Sequence, residues 1–430
     1  MPGLIESLKK LISSSDFCNR NKTKPAAFTR SRQLTFHRLI YFLLNMNNNA
    51  YQVELDRFFK TLFNHDFPKR IIYKSNITKA RKNLDFEAFR ELNDHMVNTF
   101  YSEFQHKTWH GLNLLAIDGS IIRLPQEDCI KEHFGGWKTN YGASLCAVAR
   151  CSQMFDVLNK VTVDAIIEPK SNGERELAAY HLLKLQPKDM LLLDMGYPAH
   201  WFFNAILTSG AQFCARICPE RMSVVKRFVE SGKSEDIVQL SPSRTSKAKC
   251  LEMGLDTEPI TVRLIRVKLE SCVEVLVTSL TDRRQFPVTL FKDLYSKRWP
   301  VEEDYKTLKF RLEVENFSGK TVHSVYQDFH AKVFSKNLTA VIATTVTKPI
   351  EQKSKGLRYK HQLNFAQALT KMKDTIVALF NSDLQKVLNY LKNLQKVFIQ
   401  TTEEVRPNRK YPRIHQIRRP RFFVAYKTTC

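Results

Sequence analysis

Leu112-Asn113-Leu114-Leu115-Ala116-Ile117-Asp118-Gly119-Ser120-Ile121-Ile122-Arg123-Leu124 is the stretch on which the fold turns. A near-continuous apolar run of this length predicts a buried strand, yet one acid, Asp118, stands in its middle. An ionised carboxylate in that setting costs several kcal/mol unless something compensates it. Asp118 is therefore either a strand-end aspartate capping a glycine turn or a metal ligand.

Working outward, residues 143–150 and 157–167 are two more β-rich runs, and 174–185 has a helical pattern. Asp189-Met190-Leu191-Leu192-Leu193-Asp194-Met195-Gly196-Tyr197 is a second apolar strand ending in Asp-x-Gly. Asp194 stands at its carboxyl end, where α/β folds place ligand groups. Asp189 begins the strand and belongs to the opposite edge. A helix over 199–207 and a strand over 211–217 follow. The order strand, strand, strand, helix, strand, helix, strand is the ribonuclease-H-like order of an α/β fold. It sets the first and fourth strands side by side, with Asp118 facing Asp194.

Residues 219–288 change texture. Alternating runs over 260–269 and 273–280 are separated from earlier ones by Ser231-Gly232-Lys233-Ser234-Glu235 and Ser241-Pro242-Ser243-Arg244, which predicts a β-rich insertion. After it comes Leu294-Tyr295-Ser296-Lys297-Arg298-Trp299-Pro300-Val301-Glu302, running on to Lys309. Pro300 suits a first helical turn, where its missing N–H costs nothing, so a helix is predicted over 300–310. Glu302 and Lys309, seven apart, then share a face, and Tyr295 and Arg298 share a face of the piece before Pro300. Alone, this is either an amphipathic helix with surface ion pairs of little worth or a surface that shows phenol, guanidinium, carboxylate and ammonium together. Glu303 and Asp304 adjoin Glu302, but only Glu302 keeps both the Arg298 and the Lys309 spacing. Trp299 either buttresses the helix or stacks on a base.

The outer regions are helical and basic. Residues 1–110 carry 18 Lys and Arg against 10 Asp and Glu, and residues 351–430 carry 17 against 5, within a total formal charge of +24. Charge gathered at both ends points to a polyanion such as DNA or RNA. Helices are predicted over 29–45, 51–64, from Ser75 or Asn76 onward, and over 85–104. Exposed Lys79, Arg81 and Lys82 suit a DNA-binding bundle, and a plain helical bundle fits nearly as well. Between 405 and 427 eight Lys or Arg occur with no acid, interleaved with Tyr411, Phe422, Phe423 and Tyr426; such a tail either tracks a phosphate backbone and stacks on bases or is simply solvated. The domains expected are 1–110 (helical, DNA-binding), 111–218 (first part of the core), 219–288 (insertion), 289–350 (last core helices) and 351–430 (basic helical region and tail, for DNA contact or dimerisation).

Several classes are excluded. No run of about 18 apolar residues is present, so no membrane span is expected, and Glu6, Lys9 and Lys10 interrupt any signal-peptide pattern. Nine cysteines at irregular spacing, with no C-x-x-C, read as reduced thiols rather than a metal site and suit a cytoplasmic protein. No G-x-x-x-x-G-K-[ST] loop, tyrosine-recombinase arrangement or G-x-S-x-G elbow occurs, so no nucleotide cofactor or protein nucleophile is expected. Three carboxylates from separated stretches suit a different chemistry, in which two divalent cations activate water and stabilise the oxygens of an in-line attack on phosphorus.

Asp118-Gly119-Ser120, Asp194-Met195-Gly196 and Tyr295-x2-Arg298-x3-Glu302-x6-Lys309 together resemble the DDE transposases of bacterial insertion sequences, in the subgroup with the Tyr-Arg-Glu-Lys signature. The resemblance covers roughly 30–345, plus the Arg-rich Asn408-Arg409-Lys410-Tyr411-Pro412-Arg413. It implies a ribonuclease-H-like core whose metal-binding, catalytic triad is Asp118, Asp194 and Glu302, with two Mg2+ or Mn2+ ions. Tyr295, Arg298 and Lys309 would hold DNA phosphates, a task suited to their residue types. It further implies cut-and-paste transposition by a homodimer on paired terminal inverted repeats and target DNA, in a bacterial, nucleoid-associated setting, often through a hairpin at the transposon end. Met195 departs from the pattern, since many relatives carry Arg after this Asp. The alternatives are a transposase-derived DNA-binding protein that no longer cuts, and a metal-dependent nuclease without strand transfer.

Overall fold

The computed structural model describes residues 1–30, 32–45, 48–138, 145–268, 273–373, 375–406 and 425–426. The Arg-rich block at Asn408–Arg413, and nearly all of the basic tail, lie outside the described residues. The chain divides into two compact units, one made of 105–120 and 150–305, the other of 1–104, 121–149 and 306–430. No helix among the described residues is long and apolar enough to cross a membrane.

The first unit is a mixed α/β body. The strands in chain order are β1 (Asn113–Arg123), β2 (Gly136–Lys138), β3 (Leu145–Asp156), β4 (Val161–Pro169), β5 (Asp189–Leu193), β6 (Gln212–Ile217), β7 (Glu235–Leu240), β8 (Ile260–Lys268) and β9 (Val273–Thr278); β2, the end of β1 and the start of β3 are counted with the other unit. The sheet order is β3-β1-β5-β6-β9-β8-β7, with β4 also on β3. β1, β5 and β6 run parallel, while β9, β8 and β7 continue the sheet antiparallel. Every residue of β5 is buried, as expected for a parallel strand covered on both faces. Helix His200–Thr208 joins β5 to β6 and packs back on the sheet through Phe203, which stacks on Phe213 with ring centroids 4.1 Å apart.

β1 and β5 are neighbours, but the expected order is not met in full, since helix Asp128–Phe134 and the short β2 come between the first two expected strands. The stretch expected as a β-rich insertion holds β7, β8 and β9 but also helices Ser223–Glu230 and Arg244–Glu252, and β9 pairs with β6 of the central sheet. The Ser-Pro-Ser sequence predicted as a turn in fact starts the second of these helices: Ser243 Oγ accepts from Ser246 N at 3.2 Å and caps it.

The second unit is mainly helical. Helix Val322–Thr344 is its centre, 23 residues long and with 18 of them buried. Its buried polar side chains are answered one by one: Asn337 Nδ2 donates to Asn93 Oδ1 at 2.7 Å, and Ser335 Oγ to Leu44 O at 2.7 Å. Helices Phe36–Leu44, Tyr51–Phe63, Lys74–Arg81 and Glu87–Glu103 belong to this unit, so both ends of the chain contribute to one body. The first of these starts at Phe36 rather than at 29, because Thr35 caps it. Helix Lys74–Arg81 starts before the expected cap, and Asn76 Oδ1 instead accepts from Tyr73 N at 3.3 Å.

Arg81 is the clearest correction. The sequence placed it with Lys79 and Lys82 on an exposed basic face, but it is 4% exposed. Its Nη2 donates to Asp328 Oδ1 at 2.8 Å and its Nε to Gln327 Oε1 at 2.8 Å. A guanidinium is the cation best suited to such a desolvated, multiply hydrogen-bonded position.

Candidate active site

The register of the two parallel strands sets the site. β1 and β5 pair from Asn113↔Asp189 to Ile117↔Leu193, and Asp118 and Asp194 are the next residue on each side. Asp118 thus lies midway along β1 and Asp194 one residue past the carboxyl end of β5, both directly after the last β1–β5 pair. Asp189 sits at the other end, as expected, and is fully occupied there by Asn113 Nδ2 at 2.9 Å and Gln186 N at 2.8 Å.

Glu302 comes from a helical corner. Helix Leu290–Ser296 ends in tight turns in which Arg298 N donates to Tyr295 O at 3.1 Å and Trp299 N to Ser296 O at 3.3 Å. Helix Pro300–Lys306 then begins, with Glu302 in its first turn. Phe291, Leu294, Tyr295 and Val301 anchor this corner in the core with Leu114, Ala116, Met190, Leu192 and Cys214 of β1, β5 and β6. The expected break at Pro300 is therefore present. The expected helix over 300–310 instead ends at Lys306 and passes into a π-helical turn, Thr307–Arg311.

The three acids differ in what they meet. Asp118 is half-buried, and burial pushes its carboxyl up to about 6; the nearby Glu302 and Glu174 carboxylates add to the rise, and the Gly119 N–H and the Arg298 guanidinium oppose it. Asp194 Oδ1 accepts from Met195 N at 2.7 Å and from Arg216 Nη2 at 2.9 Å. Glu302 Oε1 accepts from Arg298 Nη2 at 2.7 Å. Arg298 is 3% exposed. Burial disfavours its charge, yet Tyr295, Glu302 and Asp194 hold its pKa above the ordinary value. One guanidinium thus answers charge on all three acids.

Tyr295 is also buried, its hydroxyl 3.4 Å from Leu193 O. Trp299 stays half-exposed and stacks on Arg298, with the guanidinium carbon 5.3 Å from the ring centroid. Lys309 belongs to the helical unit, where its Nζ donates to Ile121 O at 2.7 Å.

Among the described residues, no three His, Cys, Asp or Glu side chains converge closely enough to hold one metal ion. The donor set nevertheless fits a hard divalent cation. All three groups are carboxylates, and Asp118 has one backbone N–H and the nearby Arg298 guanidinium to offset its burial. Asp194 and Glu302 each engage an arginine through one oxygen, and Asp194 Oδ2 and Glu302 Oε2 have no partner among the described residues.

Sequence reasoning missed five neighbours. Tyr197 Oη donates to Glu174 Oε1 at 3.0 Å, Tyr305 Oη donates to the Asp118 carbonyl at 2.7 Å, and Arg216 links Asp194 to Glu274. Tyr197 had a signal, since it closes the Asp-Met-Gly-Tyr block; Arg216 and Glu174 had none, since each looks like an ordinary charge on a strand or helix. Arg175 Nη2 also reaches Gly196 O at 2.7 Å. Two guanidinia therefore flank the turn where Met195 replaces the arginine of the resembling pattern.

A second constellation is sealed from solvent. His181 lies between Asp164 Oδ2 at 2.7 Å and Ser152 Oγ at 3.0 Å, and these residues are 0%, 4% and 1% exposed. Lys184 Nζ adds a 2.9 Å contact to Asp164 Oδ1. The geometry resembles a Ser-His-Asp triad, but no substrate reaches it, so it acts as a buried polar tie between β3, β4 and helix Glu174–His181.

The family model described as "Transposase DDE domain" matches residues 109–338. The transposase InsG for insertion sequence element IS4, from Escherichia coli (strain K12), is 23% identical over 342 residues, which span 79% of this chain and 76% of that protein. The putative transposase InsZ of the same organism is 24% identical over 129 residues, 29% of this chain and 42% of that protein. A piggyBac transposase synaptic complex with hairpin DNA aligns with TM-score 0.43 and 11% identity, over 91% of this chain and 84% of that one.

Proposed function

The chain belongs to the transposase DDE domain family, and on that premise we propose that it binds the terminal inverted repeats of an insertion sequence and catalyses their metal-dependent cleavage and strand transfer. The observation that carries this reading is the shared register of Asp118 and Asp194 directly after the Ile117↔Leu193 pair. In this reading the core is ribonuclease-H-like, the protein acts as a homodimer on DNA in the bacterial nucleoid, and the chemistry is cut-and-paste transposition.

Asp118, Asp194 and Glu302 hold Mg2+ or Mn2+, two ions being the expected number. Bound there, the ions supply the activated water and the charge stabilisation that in-line phosphoryl transfer needs. Arg298 keeps Glu302 and the strand ends electrostatically matched until substrate arrives, and its donors suit a phosphate oxygen. Tyr295, expected from the sequence to hold a DNA phosphate, is buried with its hydroxyl toward Leu193 O, and in this reading it fixes the corner against β5 instead. Lys309 is assigned a phosphate of the cleaved end. Arg175 and Arg216 supply the positive charge that Met195 does not. The basic N-terminal helices and the C-terminal region contact DNA outside the reacting phosphate.

The test is cleavage of a duplex carrying the element's ends, with and without Mg2+. Asp118→Asn, Asp194→Asn and Glu302→Gln are each expected to abolish cleavage while end binding persists. Full cleavage by any of the three sinks the triad. Joining of the released 3′-OH to a target duplex separates a transposase from a nuclease.

A further inference from the structure

We infer that loop 64–73 of the helical unit is a groove wedge: its exposed Phe67 and Tyr73 enter a groove of duplex DNA and press on the base edges, while the cations beside them hold phosphates. The inference rests on the reading that this chain binds DNA ends, and it adds where and how the helical unit touches the duplex.

Residues 64–82 supply the charge. They hold Lys69, Arg70, Lys74, Lys79, Arg81 and Lys82 against one acid, Asp66. Arg81 turns inward to Asp328, so five cations stay exposed. Arg70 shares its charge with Asp56 at 3.0 Å. Ile77 and Arg81 form the buried side of helix Lys74–Arg81. Lys79 and Lys82, three apart, are left on its outer face, and Lys74 stands at the end that meets the loop.

Charge alone does not account for the two rings. Phe67 is 72% exposed and Tyr73 65%. A lone apolar side chain in water is ordinary, but these two share one loop, stand among cations, and are braced outward. Gln52 Nε2 donates to Ile72 O at 3.0 Å, and its Oε1 accepts from Lys74 N at 2.8 Å. The Arg70 guanidinium carbon lies 5.8 Å from the Tyr73 ring centroid. At the loop's other end, Asn64 closes the preceding helix with φ 53° and His65 N donates to Lys60 O at 3.0 Å. Pro68 restricts the backbone directly after Phe67. Much of the ordering that a loop otherwise undergoes on binding is already in place. Duplex DNA meets both features at once: a dense row of phosphates for the cations, and a groove floor of sugars and base edges that apolar wedges beside Lys and Arg can enter and partly unstack.

The experiment is binding of the full chain, without divalent cations, to a duplex carrying the element's end with 2-aminopurine placed at successive positions; thermal melts confirm folding. Wild type is expected to raise the fluorescence at one or two steps, as unstacking does. Phe67→Ala and Tyr73→Ala are each expected to weaken binding about tenfold, to remove that rise and to leave the slope of log affinity against log salt unchanged. Phe67→Trp keeps a ring and is expected to keep the rise. Lys69→Gln and Lys74→Gln are expected to do the reverse of the alanine variants, keeping the rise and lowering the slope by about one each. Wild-type affinity in both alanine variants, no fluorescence rise at any position, or tighter binding to the corresponding single strand overturns the wedge and leaves the DNA-binding reading standing. No duplex binding by wild type overturns both.

Discussion

Arg216 ties Asp194 to Glu274: its Nη2 donates to Asp194 Oδ1 at 2.9 Å while its Nη1 donates to Glu274 Oε1 at 2.8 Å. On the proposed metal-binding role, a cation at Asp194 would share that carboxylate with an arginine that Glu274 partly draws away. Glu274→Gln leaves Arg216 to Asp194 alone. The Arg216 and Asp194 side chains are 31% and 36% exposed, so the pair is worth at most about 1 kcal/mol. The expected result is a rise of up to about fivefold in the Mn2+ needed for half-maximal DNA cleavage, with a fall for Arg216→Gln. Identical Mn2+ titrations for the three proteins would refute the competition.

Asp118 gives a prediction in pH. Its carboxyl lies at about 6 in the folded protein against an ordinary 3.8. A raised acid binds its proton more tightly when folded, so its contribution is fully present below about pH 4 and is lost as pH rises through about 6. Without divalent cations, Asp118→Asn is therefore expected to melt several degrees above wild type near pH 7.5 and level with it near pH 4. Melting curves across that range check this, and a lower melting point for the variant at pH 7.5 would contradict it.

The sealed Asp164–His181–Ser152 tie behaves in the opposite sense. Burial raises the Asp164 carboxyl, but His181 and Lys184 outweigh it and hold the group well below the usual carboxylate range. Its stabilising effect is present above 3.8 and is lost as pH falls below that value. Asp164→Asn leaves the buried His181 and the partly exposed Lys184 with a poorer acceptor and is expected to cost about 3–5 kcal/mol in denaturant unfolding at neutral pH. Ser152→Ala is expected to leave DNA cleavage unchanged. A loss of cleavage in a folded Ser152→Ala protein would give this constellation a role it has not been assigned.

The central sheet was legible because the first half of β1 and all of β5 are buried and show it as apolar runs, and because an acid in the middle of such a run, as at Asp118, is costly enough to stand out. The Leu290–Lys306 corner was legible through Pro300. The stretch 219–288 was read less well, because its helices are short and a Ser cap there looks like a turn. Glu174 and Arg216 were illegible for a simpler reason: a charged residue on a strand or helix reveals its partner only when the chain folds. Arg81 was misread on the same ground, since exposure was inferred from its neighbours Lys79 and Lys82.

That misreading separates two kinds of basic residue on one helix. Lys79 and Lys82 are exposed, whereas Arg81 is 4% exposed and paired with Asp328 at 2.8 Å. If the helical unit meets the phosphate backbone through this face, only the lysines report it. Each of Lys79→Gln and Lys82→Gln is then expected to weaken binding to all duplexes alike and to lower the slope of log affinity against log salt by about one. Arg81→Gln leaves Asp328 buried without its charge partner, which costs about 3–5 kcal/mol, so its effect on DNA binding should track unfolding and leave the salt slope of the folded fraction unchanged. Salt titrations of end binding, run beside denaturant melts, distinguish the two. A reduced slope in folded Arg81→Gln, or an unchanged slope in both lysine variants, would place the DNA elsewhere.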